Sequence, residues 1–208
     1  MRLYKWFVNY IKSNFMQAEY QYIIKKWTNS QSFNEKIITL FEKVRDIPYG
    51  AICSRNPLEV YHQNMGTCSG KHALLKALYK EIGLEVKDFI VMHTFNKLPI
   101  EYPENLNEIL SKTTIVDPHN FIKIKRNNQW FTVDVTWDKK LKKLGFPINE
   151  NWDGSSNLSI SVALGGEIFE THDSVALKIE LLQKLSNTAQ KEREIFLQKF
   201  TYWLTLER

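Results

Sequence analysis

The sequence predicts an α+β domain in which a cysteine-bearing helix packs on an antiparallel β-sheet. Three observations support this fold class: a helical repeat of apolar residues at 66–83, two strand-like segments joined by a short turn at 117–138, and further helical patterns at both ends of the chain. With 208 residues, of which 43% are hydrophobic and 25% charged, the chain has the composition of an ordinary globular protein. We therefore expect a single domain over residues 1–208, with its core at residues 35–140.

The segments before the apolar helix are predicted to be helical and then irregular. Residues 1–32 place aromatic and aliphatic side chains among lysines, which predicts one or two amphipathic helices. These either pack on the domain, which we favour, or lie on a membrane surface. A second helix is expected at residues 34–45 and is ended by Pro48. Residues 49–63 then form a loop or a short helical turn.

The helix predicted at residues 66–83 places a thiol where its chemistry can change. Gly83 favours a helix stop, and Gly66 with Thr67 favours a tight entry that leaves Cys68 in or beside the first turn. Free N–H groups and the positive end of the helix dipole lower the pKa of a thiol there and can hold an oxyanion. The alternative is that Cys68 is a small buried hydrophobe. The apolar face is expected to consist of Ala73, Leu74, Ala77, Leu78 and Ile82.

A β-hairpin is predicted at residues 117–138, since both of its arms are rich in β-branched and aromatic residues. Asn127 and Asn128 form a suitable two-residue turn because asparagine tolerates positive φ. Counting back from this turn pairs residue 121 with residue 134, which places His119 and Asp134 on one face, one diagonal step apart. An aspartate beside a histidine fixes the tautomer of the ring and stabilises its protonated form, and such a histidine can deprotonate a thiol.

These motifs, in this order, resemble those of the transglutaminase-like superfamily of papain-like cysteine enzymes: a cysteine that opens a helix after Gly-Thr, a histidine that leads a strand, and an aspartate followed by Val-Thr-Trp. The matching residues are Cys68, His119 and Asp134, and the resemblance covers residues 35–140. It implies a papain-like core in which Cys68 attacks an amide carbonyl, His119 transfers the proton and Asp134 orients His119. The substrate would be a protein or a peptide.

The resemblance leaves several activities open. Hydrolysis by a protease or amidase is favoured, because small members without the accessory β-domains of animal transglutaminases resemble hydrolases; protein-glutamine transamidation is the alternative. The chain lacks the paired cysteines that hold zinc in the peptide:N-glycanase branch, and it matches the coenzyme A-dependent arylamine acetyltransferases less well. A non-catalytic interaction domain that keeps the fold is the alternative from another class, and the presence of all three residues argues against it.

Two residues upstream of the helix are further candidates. Gln63 is a candidate for the oxyanion hole, with a solvent-facing loop residue as the alternative. Cys53 is expected to be a free thiol, although a disulfide with Cys68 would make a redox lock.

Two other histidines are candidates for the site. His93, on a strand predicted at residues 84–94, competes with His119 as the base, but it has no companion aspartate at hairpin spacing. His72 shares the helix face of Cys68 and is expected to be a polar or packed surface residue and not a metal ligand.

The rest of the chain is predicted to add to this core. Residues 96–114 form an irregular insertion with a short helix, which could shape a substrate cleft, and another strand is expected at 158–164 after a loop. Two packing helices follow over residues 173–208, with a partner-binding role as the alternative. Their apolar faces are expected to contain Val175, Ile179, Leu182 and Leu185 in the first helix, and Ile195, Phe196, Phe200, Trp203 and Leu204 in the second.

Charge and cysteine content argue against several kinds of partner. The net charge is +5 and the lysines are scattered, so we expect no nucleic acid partner. Two distant cysteines make neither a disulfide framework nor a zinc knuckle, and we predict no metal and no cofactor. No apolar stretch predicts a transmembrane segment or a signal peptide. The sequence therefore predicts a cytoplasmic protein.

Overall fold

The computed structural model describes residues 2–50 and 55–208, and the side chains of residues 14–50 and 55–208. It confirms the predicted α+β fold class, with an antiparallel sheet and flanking helices. The described helices are α1 (Arg2–Thr28), α2 (Phe33–Arg45), α3 (Pro57–Gln63), α4 (Cys68–Glu81), α5 (Glu104–Lys112), α6 (Ser174–Gln183) and α7 (Asn187–Leu206). Short 3₁₀ helices lie at Phe95–Lys97 and Lys139–Leu144.

The sheet contains β1 (Val86–Thr94), β2 (Val116–Arg126), β3 (Gln129–Val133) and β4 (Leu164–Thr171) in the order β3-β2-β1-β4. Its pairs are antiparallel. One apolar core lies where α1, α2 and α4 meet the inner face of β2 and β3, and a second lies under α7 and the segment that contains α5. The start of α4 lies between the two cores, because Leu74 and Leu78 belong to the first and Cys68 to the second.

The predicted hairpin is present with its predicted register. Asn127 and Asn128 both have positive φ, at 48° and 62°, which are the signs of a type I′ turn. Arg126 pairs with Gln129, and Ile122 pairs with Val133. Period-2 alternation and a two-residue turn leave little freedom in the register, which is why counting along the sequence was sufficient.

Helix α4 begins and ends as predicted, but its buried face is wider. Cys68 is its first residue, Thr67 precedes it in an extended conformation, and Gly83 follows with φ of +88°. The residues predicted to form the apolar face are only partly the buried ones, because α4 packs on α2 and α3 as well as on β2. Leu74 and Leu78 are buried, Ala73, Ala77 and Ile82 are half-buried, and Lys71, His72, Leu75 and Tyr79 are buried in addition.

The strand predicted at residues 158–164 is wrong, since the strand lies at Leu164–Thr171. Residues 158–163 instead run past the end of β3, where the Leu158 N–H donates to the Thr132 carbonyl at 2.9 Å. The segment that forms β4 is an edge strand with most of its side chains exposed, so it lacks the apolar alternation that marks a half-buried strand.

The helical ends of the chain contact the core. Of the predicted N-terminal segment, Arg2–Thr28 forms one helix, α1, in which Tyr20 and Ile23 are buried against the first core. The side chains before residue 14 lie outside the described residues. None of the helices in the described part of the chain combines the length and the apolar character needed to cross a membrane.

The buried face was predicted largely correctly for α7 but not for α6. In α7, Phe196, Phe200, Trp203 and Leu204 are buried as predicted. In α6, Val175 and Ile179 are exposed, whereas Lys178 and Leu181 are buried, so the predicted face of this helix is wrong. A helical period cannot indicate that a lysine in an apolar run has charged partners inside the molecule.

Phe200 should be a large contributor to stability. Its fully buried ring contacts those of Tyr49, Phe95 and Trp137 within the second core. Phe200→Ala should lower the free energy of unfolding by about 3–5 kcal/mol, because truncation leaves a cavity in a packed core. Urea unfolding measures this, and Tyr202→Ala, on an exposed side chain of the same helix, is the control expected to change it by less than about 0.5 kcal/mol. Equal midpoints for the two variants would contradict the prediction.

Candidate active site

Cys68 lines a cavity of about 200 Å³. As the first residue of α4, it has a backbone N–H that precedes the first intrahelical bond, which runs from Lys71 N–H to the Thr67 carbonyl. The side chain of Thr67 makes no capping hydrogen bond, so the helix start keeps N–H groups that can receive a negative charge. The thiol is 4% exposed and belongs to the second core.

The structure brings His119 and Asp134 together. His119 lies on β2, Asp134 follows directly after β3, and the His119 Nε2 is 2.8 Å from the Asp134 Oδ2. Both side chains are buried. Three further donors hold the carboxylate: the Thr136 N–H at 2.9 Å, the Thr136 Oγ1 at 2.6 Å and the Ser161 N–H at 2.9 Å. Thr136 therefore fixes the Asp134 carboxylate together with Ser161, which lies in the segment that was expected to be a strand.

His119 lies near enough to the Cys68 thiol to interact with it electrostatically. Since Nε2 of His119 faces Asp134, Nδ1 is the ring nitrogen left for the sulfur. Burial alone would raise the pKa of the Cys68 thiol, but the ammonium of Lys178 and the charge of His119 outweigh it and lower the pKa to about 6. Burial likewise opposes the charge on His119, yet Asp134 and the thiol raise the pKa of His119 to about 9. Between these values the pair is a thiolate beside an imidazolium.

Lys178 is a residue of the site that the sequence interpretation missed. It projects from α6, its side chain is 5% exposed, and its Nζ lies 3.4 Å from the Cys68 Sγ. The two residues are 110 positions apart, so no local pattern connects them. One signal was present: Lys178 is the single charged residue in the apolar run from Val175 to Ile179.

The cavity also contains an ion pair. Asp117 on β2 forms an ion pair with Arg193 of α7, and both residues line the cavity together with Lys178 and Tyr49. Burial opposes the negative charge of Asp117, but Arg193 and Lys178 hold the pKa of this carboxyl below its usual range. Burial raises the pKa of the Tyr49 phenol, and the charge of Cys68 raises it further, so Tyr49 keeps its proton beside the thiolate.

His93 has a companion aspartate after all. It pairs with Asp117 across β1 and β2, and its Nε2 lies 3.9 Å from the Asp117 Oδ2. The sequence interpretation considered a partner only at hairpin spacing and missed Asp117, because β1 and β2 are not joined by a short turn. Burial lowers the pKa of His93 to about 3 despite Asp117, so the ring is neutral. Its Nδ1 has no hydrogen-bond partner among the described residues.

His72 is fully buried, so the surface position expected for it is wrong. Its Nδ1 lies 2.7 Å from the Cys68 carbonyl oxygen, and its Nε2 accepts a hydrogen bond from the Val135 N–H at 3.1 Å. Burial lowers the pKa of His72 to about 4, which keeps the ring neutral with its proton on Nδ1. His72 thereby joins the first turn of α4 to the residue that follows Asp134. Within the described part of the chain, no group of three side chains suited to a metal ion is present.

The structure does not bring Gln63 to the cavity. It is the exposed last residue of α3 and is not among the residues that line the space beside Cys68. Tyr49 and the first residues of α4 do line that space. Cys53, and with it the suggested disulfide, lies outside the described residues.

Comparisons with solved structures find a distant resemblance in fold. No family model matches the chain, and no curated protein matches it. A solved structure that resembles it is that of a protein named "putative cysteine protease" from Cytophaga hutchinsonii, with a TM-score of 0.42 and 13% sequence identity. The match covers 75% of this chain and 49% of that one, so this chain spans about half the length of that protein. A likeness at this level identifies neither a family nor a substrate.

Proposed function

We propose that the chain is a transglutaminase-like cysteine hydrolase that cleaves amides through a thioester on Cys68. The observation that carries the proposal is the buried pair of His119 and Asp134, 2.8 Å apart, beside a Cys68 thiol whose pKa falls to about 6 despite its burial, through the charges of Lys178 and His119. The order thiol, imidazole and carboxylate is that of a nucleophile, its base and the group that orients the base. The reduced thiol that this activity needs fits the reducing, cytoplasmic compartment predicted from the sequence.

The residues support the following steps. The Cys68 thiolate attacks the amide carbonyl, and the resulting oxyanion is held by N–H groups at the start of α4. The imidazolium of His119 gives its proton to the leaving nitrogen, the carbon–nitrogen bond breaks, and a thioester remains. Water then attacks the thioester while the neutral His119 takes its proton, the carbon–sulfur bond breaks, and a carboxylic acid and the thiolate–imidazolium pair are restored. Asp134 keeps its negative charge throughout and holds the ring in place.

Hydrolysis is favoured over transamidation by the shape of the cavity. The thiol is 4% exposed, and helices α6 and α7 supply Lys178, Arg193 and Leu197 to the cavity wall. Water reaches an enclosed thioester more easily than a lysine on the surface of a second protein does. A protein cross-linking enzyme would need an open approach for that second substrate.

The test is to digest a mixture of casein peptides in water enriched in oxygen-18, with a small primary amine present. We expect each new carboxyl group to carry one oxygen-18 atom and amine incorporation to be minor. Cys68→Ala should reduce the product by roughly a thousandfold or more, because the nucleophile is removed. Cys53→Ala, which keeps Cys68, is the matched control. Products that are mainly amine adducts would favour the transamidase, and equal hydrolysis by Cys68→Ala would exclude the thioester mechanism.

A further inference from the structure

The charges that line the cavity beside Cys68 are mostly positive. Lys178, Arg193 and Arg55 are cationic, and Asp117 is the only acidic residue among the described residues that line it. Asp117 is already engaged in an ion pair with Arg193. Lys178 is nearly buried, and its hydrogen-bonded partner is the Cys68 sulfur at 3.4 Å. In the free protein, the thiolate is therefore the anion that balances the Lys178 ammonium.

The proposed reaction removes the negative charge of Cys68 that neutralises the Lys178 ammonium. When a thioester forms, the sulfur becomes neutral and the proton of His119 leaves with the amine, so the charges of the thiolate and the imidazolium disappear together. Lys178 then loses the anion that lies beside it. Lys178 and Arg193 would then share Asp117, and a buried ammonium without its own anion is unfavourable. A carboxylate on the acyl group would restore the pairing because it would lie beside Lys178 with Arg55 at the rim.

We propose that the cavity selects acyl donors that carry a carboxylate close to the scissile carbonyl, with Lys178 as the main specificity-determining residue and Arg55 as a second cation. This inference rests on the proposed function, because it names the substrate class of the same thioester site. Two kinds of substrate share this chemistry: an acyl group with a free backbone carboxylate, and a peptide with an acidic side chain beside the cleaved bond.

The test compares iodoacetate with iodoacetamide at Cys68, read by peptide mass spectrometry in a Cys53→Ser background. Each reagent forms a carbon–sulfur bond to the thiolate and releases iodide, and the product of iodoacetate carries a carboxylate next to a neutral sulfur. We expect the ratio of the iodoacetate to the iodoacetamide rate constant to exceed that of N-acetylcysteine by about tenfold, which is the scale of one additional charge pair at short range. The ratio cancels changes in thiol reactivity that affect both reagents equally.

The variants assign the effect to the cavity. Lys178→Met should return the ratio to that of N-acetylcysteine, Lys178→Arg should keep it raised, and Arg55→Gln should lower it in part. Lys184→Met is the matched control, since Lys184 is an exposed lysine at the end of the same helix, and it should leave the ratio unchanged. Since Arg55 is exposed, its variant is informative even if Lys178→Met does not fold.

The outcomes separate the two proposals. Rapid alkylation of Cys68 by iodoacetamide without a preference for iodoacetate would overturn the selectivity and leave the hydrolase proposal standing. A Cys68 thiol no faster than N-acetylcysteine towards either reagent below pH 7 would overturn both. Cleavage of γ-glutamyl-aminomethylcoumarin over acetyl-aspartyl-aminomethylcoumarin would assign the backbone carboxylate as the source of the charge, and the reverse would assign the acidic side chain. Faster cleavage of acetyl-asparaginyl-aminomethylcoumarin than of both would overturn the proposal.

Discussion

His119→Ala should shift the half-maximal alkylation of Cys68 by iodoacetamide from near pH 6 towards the ordinary range of a free thiol. In the intact protein, burial raises the pKa of the thiol, while Lys178 and His119 bring it to about 6. Without His119 the thiol loses a neighbouring positive charge but stays buried. A thiol with a pKa near 8.5 is only about 1% thiolate at pH 6.5, so the rate there should fall by roughly tenfold or more.

The measurement is the rate of Cys68 modification from pH 4 to 10, with Cys53→Ser in every protein. His62→Ala is the matched control, because His62 is an exposed histidine on α3 and should leave the profile unchanged. The rate profile of the intact protein should also show a second inflection near pH 9, the pKa of His119. This inflection should be absent from His119→Ala. A profile that His119→Ala leaves at pH 6 would mean that Lys178 alone activates the thiol, and the role proposed for His119 would fail.

Local sequence patterns were sufficient to predict the position of those site residues that are held by a short turn or by the end of a helix. Asn127 and Asn128 fix the count along the hairpin, so the proximity of His119 and Asp134 could be derived from the sequence. The same holds for Cys68, since Gly83 at one end and Thr67 at the other bound its helix. Neither placement depends on how distant segments of the chain pack.

Distant contacts could not be derived in this way. Lys178 reaches Cys68 across 110 positions, and Arg193 reaches Asp117 across 76, through packing that no period encodes. The charge of Lys178 was the misleading feature, because a buried lysine interrupts the apolar pattern from which a helix face is predicted. His93 and Asp117 pair across two strands that a long insertion separates, so no turn sets their register.

Asp134→Ala should be among the most destabilising substitutions in the protein. The carboxylate accepts hydrogen bonds from His119, from the Thr136 N–H and hydroxyl, and from the Ser161 N–H, and all of these lie inside the molecule. Removing it leaves these donors without an acceptor and the imidazolium without its counter-charge, which should cost about 3–5 kcal/mol of unfolding free energy. Glu167→Gln, an exposed carboxylate on β4, is the control expected to change stability by less than about 0.5 kcal/mol.

The pH dependence of the unfolding free energy tests whether the ion pair between His119 and Asp134 contributes to stability. The pKa of His119 is raised from 6.5 to about 9 in the folded state, so its contribution to stability is fully present below pH 6.5 and is lost as the pH rises through 9. The pKa of Cys68 is lowered from 9.0 to about 6, so its contribution is present above pH 9 and is lost as the pH falls through 6. In the window between, the folded state binds one proton on His119 and the unfolded state one on Cys68, so the two slopes cancel.

Removing the thiol should uncover the contribution of His119. In Cys68→Ala the stability should fall as the pH rises above 6.5, by up to about 1.4 kcal/mol per pH unit, because Asp134 still raises the pKa of His119. Asp134→Asn added to Cys68→Ala should abolish this fall, since a neutral amide leaves the buried ring without its counter-charge. Urea unfolding of both proteins at pH 6, 7, 8 and 9 measures the slopes. The same downward slope in both would mean that Asp134 does not hold His119 in its protonated form, and the orienting role proposed for this carboxylate would then be wrong.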